Sequence, residues 1–269
     1  TVPASIFVEF LKDEKRDLEK VEIGKTRSIA NCPLDLVILV RQYFLAFIAN
    51  FMKDPALGFI AVGLNPHDDD WTRLYTRMTR FLNHIAGDYK AWDKLLNYQF
   101  CMRFANVVSA WYNDGDQNAK VRELICAACF SSLRSVDGKL IQLHHGMPSG
   151  VPFTATGNSV INALVITAAI LDNLNCEGEE AHVRLLNEVE MTFYGDDHWI
   201  SVSDEIAKTF NMRTLQGWLK ENLGMNYTDP SKNPILPTYI PLNKLTYLKR
   251  HFVQKDYVVL APMDLDVIQ

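Results

Sequence analysis

The sequence lacks the features that mark membrane, secreted and strongly basic nucleic-acid-binding proteins. No uninterrupted apolar run reaches the about 18 residues that span a bilayer; the stretch from Leu34 to Phe51 is broken by Arg41, Gln42 and Asn50. We therefore expect no transmembrane segment. The 5 cysteines are scattered and odd in number, which is typical of a reducing compartment. The formal net charge of −5 provides no overall basic field, although a protein that binds phosphates with a few placed cations needs none.

The composition is that of a globular chain with a large core. Of the 269 residues, 48% are hydrophobic and 22% charged, which suits one large core or two lobes. No repeat or low-complexity tract occurs, and the order of elements is not a βαβ series, so we predict an α+β fold with an antiparallel hairpin. No signal peptide is visible and the first residue is Thr, so we expect a piece cut from a longer precursor.

Hydrophobic spacing predicts the main elements. Helices are expected over 34–52, 92–112, 158–173 and 209–223, with a further helix ending near Ser132. Strands are expected over 59–63, 81–88 and 245–248, and hairpins around Asp137-Gly138 and Gly195-Asp196. The charged segment 12–25 favours a surface helix, although Val21 and Ile23 within it and Ile29 after it have a strand-like character.

Two adjacent carboxylates lie in the turn of one predicted hairpin. The residues Tyr194-Gly195-Asp196-Asp197 separate two segments that alternate like strands. Like charges this close repel each other, and Mg²⁺ or Mn²⁺, which prefer hard oxygen ligands, would remove the conflict. The alternative is a solvated hairpin turn, because Asp and Gly are ordinary turn residues.

A second pair of carboxylates follows another predicted strand. Asp88 ends the strand and Asp93 opens the next helix, five residues later. Across such a turn both side chains can point into one pocket, Asp88 as a metal ligand and Asp93 as a partner of a substrate hydroxyl. Asp93 is equally well explained as a helix cap or by the helix dipole.

A Gly- and Pro-rich loop from Gly146 to Thr154 precedes the long apolar helix. Its glycines permit a close approach to a ligand, and Ser149, Thr154 and Asn158 add small polar groups. The loop alone is an ordinary turn, but beside two carboxylate pairs it favours a lid over a sugar and base. The cations that could contact a triphosphate are Lys20, Lys25 and Arg27.

Taken in order, these motifs resemble those of the RNA-dependent RNA polymerases of picornavirus-like positive-strand RNA viruses, with the dicistroviruses as the most similar group. The resemblance covers almost the whole chain. It rests on Leu11 to Ile29, Asp88 to Asp93, Gly146 to Ser159, Tyr194 to Asp197, Asp229 to Lys232 and Leu248 to Arg250. Because the family's enzyme is far longer, the resemblance implies a central fragment of fingers and palm.

The implied architecture is a right-hand polymerase fold, α+β, with an antiparallel palm sheet flanked by helices and almost no thumb. The implied domains are fingers over 1–48, palm over 49–95, a fingers insertion over 96–143, palm over 144–252 and a truncated start of the thumb over 253–269.

The resemblance also implies roles in nucleotidyl transfer with two Mg²⁺ or Mn²⁺ ions. The metal ligands would be Asp88, Asp196, Asp197 and the main-chain carbonyl of Tyr89, and the general acid would be Lys232. The residues on the triphosphate and template side would be Arg16, Lys20, Lys25 and Arg27. Those that select the sugar and base would be Asp93, Ser149, Gly150, Thr154 and Asn158. The primer would contact Leu248, Lys249 and Arg250.

The implied partners are an RNA template with its primer or nascent strand, nucleoside triphosphates, a viral protein primer and other replication proteins. The implied location is the host cytoplasm, at membrane-associated replication complexes. Two alternatives stay open: a reverse transcriptase, and an inactive RNA- or protein-binding fragment. A reverse transcriptase blocks the 2′-hydroxyl with a bulky side chain, so Asp93 and Asn158 favour RNA synthesis.

Five further residues are interpreted apart from these roles. His198 either touches the primer strand or lies on the hairpin surface, while Trp92 and Trp199 are expected to pack. Cys126 and Cys129 have redox or zinc spacing, but their apolar neighbours favour a buried, inert pair.

Overall fold

A computed structural model describes residues 5–16 and 18–265, and it has the predicted α+β composition. The helices are α1 (Leu18–Glu22), α2 (Leu34–Phe51), α3 (Asp69–Met78), α4 (Trp92–Leu95), α5 (Tyr98–Tyr112), α6 (Asp116–Phe130), α7 (Thr154–Leu174), α8 (Gly178–Glu188) and α9 (Met212–Leu223). The strands are β1 (Ile6–Leu11), β2 (Ser28–Asn31), β3 (Asn83–Ala86), β4 (Asp88–Tyr89), β5 (Leu133–Val136), β6 (Lys139–Gln142), β7 (Val189–Tyr194), β8 (Asp197–Val202), β9 (Tyr227–Thr228), β10 (Val253–Lys255) and β11 (Val258–Leu260).

The chain divides into two compact units. The first unit comprises Thr1–Ile48 and Asp93–Thr154, and the second comprises Ala49–Trp92 and Ala155–Gln269. The first division coincides with the predicted limit at residue 48, and the second lies close to the predicted limit at residue 95. Residues 144–154, which were predicted with the palm, group with the first unit. The names fingers and palm stay predictions.

In the first unit, four strands form a mixed sheet in the order β2-β1-β5-β6. Strand β1 is antiparallel to β2 and parallel to β5, and β5 and β6 form the predicted hairpin around Asp137-Gly138. The aromatic core contains Phe44, Phe104 and Phe153, with ring centroids 5.0 Å apart for Phe44–Phe153 and 5.2 Å apart for Phe104–Phe153. Such offset aromatic contacts add to the stabilisation from burial alone.

In the second unit, an antiparallel sheet has the order β3-β8-β7, with β8 in the centre. Every residue of β8 after Asp197 is buried, from His198 to Val202, so this strand is covered on both faces. Strands β4 and β9 form a separate two-stranded ribbon. Both the sheet and the ribbon carry residues of the candidate site.

Three predicted elements differ in the structure. The expected strand over 59–63 is wrong: Ile60 makes only a single bridge, to Phe193. The expected strand over 245–248 is also wrong, because Tyr247 pairs only with Arg250 across a turn. The expected helix over 92–112 is interrupted, since the side chain of Asn97 accepts from the N–H groups of Gln99 and Phe100 and caps a new helix, α5.

The structure also contains elements that were not predicted. Within segment 12–25, the described residues form one element, the short helix α1, and Ile29 belongs to β2. Strand β1, helix α8 and the hairpin of β10 and β11 had no prediction.

The expectation of no membrane-spanning segment stays a prediction. Within the described residues, α2 and α7 are both long and apolar enough to cross a membrane. The interruptions counted in the sequence are too few to exclude them. The core helix of a globular domain passes the same test, and 61% of the α7 segment is buried against 28% for α2.

Candidate active site

The predicted carboxylate pair lies at the tip of the hairpin formed by β7 and β8. Tyr194 pairs with Asp197, so Gly195 and Asp196 form a two-residue turn. Gly195 has φ of 65°, a left-handed conformation that glycine adopts without a Cβ penalty and that matches the twist of a hairpin.

Helix α7 holds this turn through two buried polar side chains. The Oγ of Ser159 accepts from the N–H of Gly195 at 2.7 Å. The Nδ2 of Asn162 donates to the carbonyl oxygens of Gly195 at 3.1 Å and of Asp196 at 3.0 Å. Both side chains have 0% exposure, and residues three apart share one helix face. The turn is therefore fixed by the protein interior rather than left to solvent.

The third carboxylate, Asp88, comes from the ribbon of β4 and β9. Asp88 pairs with Thr228 and Tyr89 with Tyr227. The ribbon requires glycine at position 87, because a Cβ there would lie 2.2 Å from the Tyr227 ring and 2.6 Å from the Thr228 carbonyl oxygen. The hydroxyl of Tyr89 donates to Oδ1 of Asn162 at 3.0 Å.

The three carboxylates interact electrostatically. The pKa of Asp197 is raised to about 6, first because the surrounding protein shields its carboxyl group from water and then by the charges of Asp196 and Asp88, while Lys249 acts in the opposite direction. As a residue Asp197 is exposed, and repulsion from Asp196 and Asp88 adds to the shielding as a cause of the raised pKa. This repulsion is the conflict that the sequence motif predicts.

The chemistry of these residues fits a divalent cation. Carboxylate oxygens are the hard ligands that Mg²⁺ and Mn²⁺ prefer, and Asp88, Asp196 and Asp197 are close enough for their charges to interact. Over residues 5–16 and 18–265, however, no three His, Cys, Asp or Glu side chains are gathered into a ready-made ligand set. Small movements of the exposed carboxylates would have to complete the coordination.

His198 is buried, which excludes the hairpin surface position considered from the sequence. Its Nε2 shares a hydrogen bond of 2.7 Å with the Tyr227 hydroxyl, and its Nδ1 lies 3.2 Å from the carbonyl oxygen of Asp196. Burial lowers the pKa of His198 to about 4, so the ring is neutral at pH 7. The predicted packing roles of Trp92 and Trp199 are confirmed, since both are buried.

Lys232 and the predicted primer-contacting turn also belong to the second unit. The Nζ of Lys232 lies 3.8 Å from Oδ2 of Asp88. Tyr247 and Arg250 exchange two backbone hydrogen bonds of 3.0 Å, and Leu248 and Lys249 between them have φ of 52° and 59°. The structure thus places a tight turn at 248–249, with Lys249 near enough to affect the pKa of Asp197.

Among the predicted triphosphate cations, Arg16 and Arg27 surround one carboxylate in the first unit. Glu14 pairs with Arg16 at 2.6 Å, Lys12 at 3.2 Å and Arg27 at 3.8 Å. Burial would raise the pKa of Glu14, but the hydrogen bond from Lys12 and the charges of Arg16, Lys12 and Arg27 lower it overall. Lys20 lies in α1, and Lys25 follows in the turn before β2.

Two predicted sugar-selecting residues of the first unit line one cavity. It has a volume of about 370 Å³ and is bordered by Asp93 and Ser149 together with the ion pair of Glu9 and Arg134. The Oγ of Ser149 accepts from the N–H of Ala30 at 3.0 Å. A Cβ at Gly150 would lie 2.4 Å from the Ala30 carbonyl oxygen, so glycine is required for the loop to lie against β2.

The other two predicted sugar-selecting residues stabilise α7 and its surroundings. The hydroxyl of Thr154 donates within the loop, to the carbonyl oxygens of Pro148 at 2.7 Å and Val151 at 2.8 Å. Asn158 belongs to the second unit, and its Oδ1 accepts from the indole N–H of Trp92 at 3.2 Å.

The sequence analysis missed two residues of this site, Asn162 and Tyr227. Both are fully or almost fully buried, at 0% and 2% exposure, and both hydrogen-bond to residues of the carboxylate segments or their neighbours. The available signal was a polar residue on an otherwise apolar helix, Asn162 following Ser159 by three positions.

The fold is that of a right-hand nucleic-acid polymerase. A solved structure, the Sicinivirus 3Dpol RNA dependent RNA polymerase, matches it with a TM-score of 0.83 at 20% sequence identity, over 98% of this chain and 54% of that chain. The profile of the family described as viral RNA-dependent RNA polymerase matches residues 2–268. The chain therefore belongs to the viral RNA-dependent RNA polymerases, and the alternative of a reverse transcriptase is not favoured.

Curated relatives come from insect and plant viruses. The replicase polyprotein of acute bee paralysis virus (strain Rothamsted) is 32% identical over 274 residues, 98% of this chain and 14% of the polyprotein. The replicase polyprotein of cricket paralysis virus is 31% identical over 277 residues, 98% of this chain and 16% of the polyprotein. The genome polyprotein of rice tungro spherical virus (strain A) is 30% identical over 283 residues, 99% of this chain and 8% of the polyprotein. The chain thus spans less than a fifth of these relatives.

Proposed function

We propose that the chain is the central catalytic part of an RNA-directed RNA polymerase that replicates a viral RNA genome and is released from a polyprotein. The observation that carries this proposal is the Gly195-Asp196 turn, which α7 holds by three hydrogen bonds. Asp197 directly follows this turn, and its pKa is raised in part by the charge of Asp88, which comes from a separate ribbon. A solvated turn would need neither the buried supports nor a third carboxylate. In this proposal the second unit is mainly palm and the first mainly fingers.

The family implies the use of divalent metal ions. We propose that Asp88, Asp196 and Asp197, with the carbonyl of Tyr89, hold two Mg²⁺ or Mn²⁺ ions. When bound, such ions stabilise charge on the attacking 3′-hydroxyl and on the leaving pyrophosphate. The protein contributes a turn that is already rigid, so little reorganisation is needed when the substrate arrives.

Lys232 would donate a proton to the pyrophosphate leaving group. Its ammonium group lies 3.8 Å from the Asp88 carboxylate, at the edge of the carboxylate cluster, and its side chain is 79% exposed. That exposure leaves it able to reach a substrate. General-acid catalysis of this kind contributes about 10²–10⁴-fold to the rate.

The nucleotide would be recognised by its triphosphate and its ribose. The guanidinium groups of Arg16 and Arg27, with the ammonium groups of Lys20 and Lys25, would neutralise the charge of the triphosphate. The ion pairs with Glu14 limit the positions that the two arginine side chains can take. Ribose and base selection would use Asp93, Ser149, Gly150 and Thr154 of the first unit and Asn158 of the second. Trp92 fixes the Asn158 oxygen, so the amide N–H₂ group is the part that can donate to a 2′-hydroxyl.

RNA would be held by pairing and shape, with Leu248, Lys249 and Arg250 contacting the primer or nascent strand. A viral protein primer and other replication proteins are the further partners that we propose. The proposed location is the host cytoplasm, at membrane-associated replication complexes.

Primer extension on an RNA template tests this function. The full-length protein that carries this chain should extend the primer with ribonucleotides in Mg²⁺ or Mn²⁺, and Asp196→Asn should reduce extension at least about 10³-fold. Asp137→Asn, an equally small change at the other hairpin turn, is the matched control and should retain activity. Asn158→Ala should raise the incorporation of deoxyribonucleotides relative to ribonucleotides, because the 2′-hydroxyl loses a partner.

A wild-type protein that prefers deoxyribonucleotides would contradict the sugar-selection roles. A folded wild-type protein that binds RNA but never extends a primer would favour the remaining alternative, an RNA- or protein-binding module.

A further inference from the structure

One buried amide connects two of the carboxylate-bearing segments. The Nδ2 of Asn162 donates to the carbonyl oxygens of Gly195 and Asp196 at 3.1 and 3.0 Å. Its Oδ1 accepts from the hydroxyl of Tyr89 at 3.0 Å, next to Asp88. Asn162 therefore touches the β7–β8 turn with one end of its amide and the β4–β9 ribbon with the other.

The geometry leaves this amide little freedom. A primary amide has two N–H donors, and the two contacts to the turn use both of them. Tyr89 is buried, and its hydroxyl donates its one proton to the Oδ1 of Asn162. A shift of Asn162 would break hydrogen bonds inside the protein, where an unpaired polar group is costly.

We propose that Asn162 is a positioning residue that sets the separation of Asp88 and Asp196, and through it the affinity of the site for divalent cations. This inference rests on the proposed function, because it assigns these carboxylates to metal binding. Asn162 touches neither the substrate nor the metal and acts through the backbone of the turn and through Tyr89.

Asparagine suits this position because both kinds of hydrogen bond are needed. Asp at 162 would keep the acceptor for Tyr89 but would place a negative oxygen against two carbonyl oxygens. Ala would remove the hydrogen bonds that this side chain makes to two carbonyl groups and one hydroxyl. The hydroxyl of Ser159, one turn earlier on α7, accepts from the N–H of Gly195 and donates to the carbonyl oxygen of Ala155 within its own helix.

The experiment measures Mn²⁺ binding to the full-length protein by electron paramagnetic resonance, without nucleotide or RNA. Asn162→Ala should weaken Mn²⁺ binding about 10-fold or more, the usual effect of losing a group that orients metal ligands. Tyr89→Phe removes only the hydrogen bond between Tyr89 and Asn162. It should weaken Mn²⁺ binding less, by about 2- to 5-fold. The double variant should bind like Asn162→Ala alone, because Tyr89 acts through that amide.

Asn173→Ala is the matched control. Asn173 lies on the same helix, and its Nδ2 donates to the carbonyl oxygen of Ala169 at 2.8 Å, within α7 itself. This variant should lose a comparable hydrogen bond and keep the wild-type Mn²⁺ affinity. A general weakening of α7 would instead lower the affinity in both helix variants, and that result would overturn the proposal.

Thermal melting shows whether each variant is folded. Wild-type Mn²⁺ affinity in folded Asn162→Ala would overturn the proposal; if Asn162→Ala does not fold, the near-isosteric Tyr89→Phe decides in the same way. The proposed function fails separately, when wild-type protein binds Mn²⁺ through Asp196, as shown by loss of binding in Asp196→Asn, yet makes no RNA.

Discussion

Two hairpins of this protein have nearly the same turn composition but very different surroundings. The β5–β6 hairpin turns at Asp137-Gly138, with φ of 48° and 75°, and neither β5 nor β6 contains a buried residue. The β7–β8 hairpin turns at Gly195-Asp196, and its second strand is buried from His198 onward. Ser159 and Asn162 hold the second turn from behind.

The comparison separates what makes a turn from what makes a site. An acid and a glycine are enough for a tight reversal of the chain, and both hairpins have them. Only the second turn is anchored by buried polar side chains and lies near a carboxylate from another segment. The chemistry therefore depends on residues outside the motif.

The largest expected effect is on the ribbon that carries Asp88. Gly87→Ala would bring a Cβ to 2.2 Å from the Tyr227 ring and 2.6 Å from a backbone oxygen. We expect a loss of about 3 kcal/mol in the free energy of unfolding, a fall in melting temperature of roughly 6–12 °C, and loss of primer extension. Gly217→Ala is the control: the space around Gly217 in α9 is open, so alanine should stabilise the helix by about 0.5–1 kcal/mol. Equal melting temperatures for Gly87→Ala and wild type would contradict the close packing.

A smaller effect compares the two turns directly. Gly195→Ala and Gly138→Ala each place alanine at positive φ, 65° and 75°, with no atom within 4 Å of the new Cβ. Both should cost about 1–2 kcal/mol of stability, measured by denaturant unfolding. Only Gly195→Ala should slow primer extension, by roughly 10- to 100-fold, because displacing a reacting group by about 1 Å is enough. Similar activity losses in both variants would remove the distinction between the hairpins.

The smallest effect concerns the charge repulsion at the second turn. The folded-state pKa of Asp197 is about 6 against an ordinary 3.8, so the folded protein binds this proton more tightly than the unfolded chain. Ionisation of Asp197 therefore lowers the free energy of unfolding as the pH rises from about 4 to 6. This loss of stability persists above pH 6. In metal-free buffer, Asp197→Asn should melt higher than wild type at pH 7.5, by roughly 2–4 °C for about 1 kcal/mol after allowance for solvent screening. The difference should disappear below pH 4, and Asp137→Asn should show none at either pH.

Much of this site could be predicted because it lies on local patterns. The alternation of Val189, Met191 and Phe193 with a glycine turn correctly predicted β7 and the reversal into β8. The long apolar segment predicted α7, although the helix begins at Thr154 rather than at residue 158.

The missed features depend on contacts between distant segments. His198 was open to a surface assignment because alternation identifies only one buried face, whereas β8 is central and covered on both sides. The role of Asn162 depends on β4 and on the β7–β8 turn, which lie 73 and 33 residues away in sequence from it. The strand expected over 59–63 has suitable composition but finds only a single bridging partner at Ile60, and strand propensity without a pairing partner does not form a strand.

The five cysteines can be used to detect unfolding. All five are unpaired and buried, so a thiol-alkylating reagent reaches them only when the surrounding structure opens. Four of them belong to the first unit, at positions 32, 101, 126 and 129, and Cys176 belongs to the second. The position of each label, read as added mass on the peptide that carries the cysteine, therefore tells which unit has opened: a label on Cys176 reports the second unit, and labels on the other four cysteines report the first.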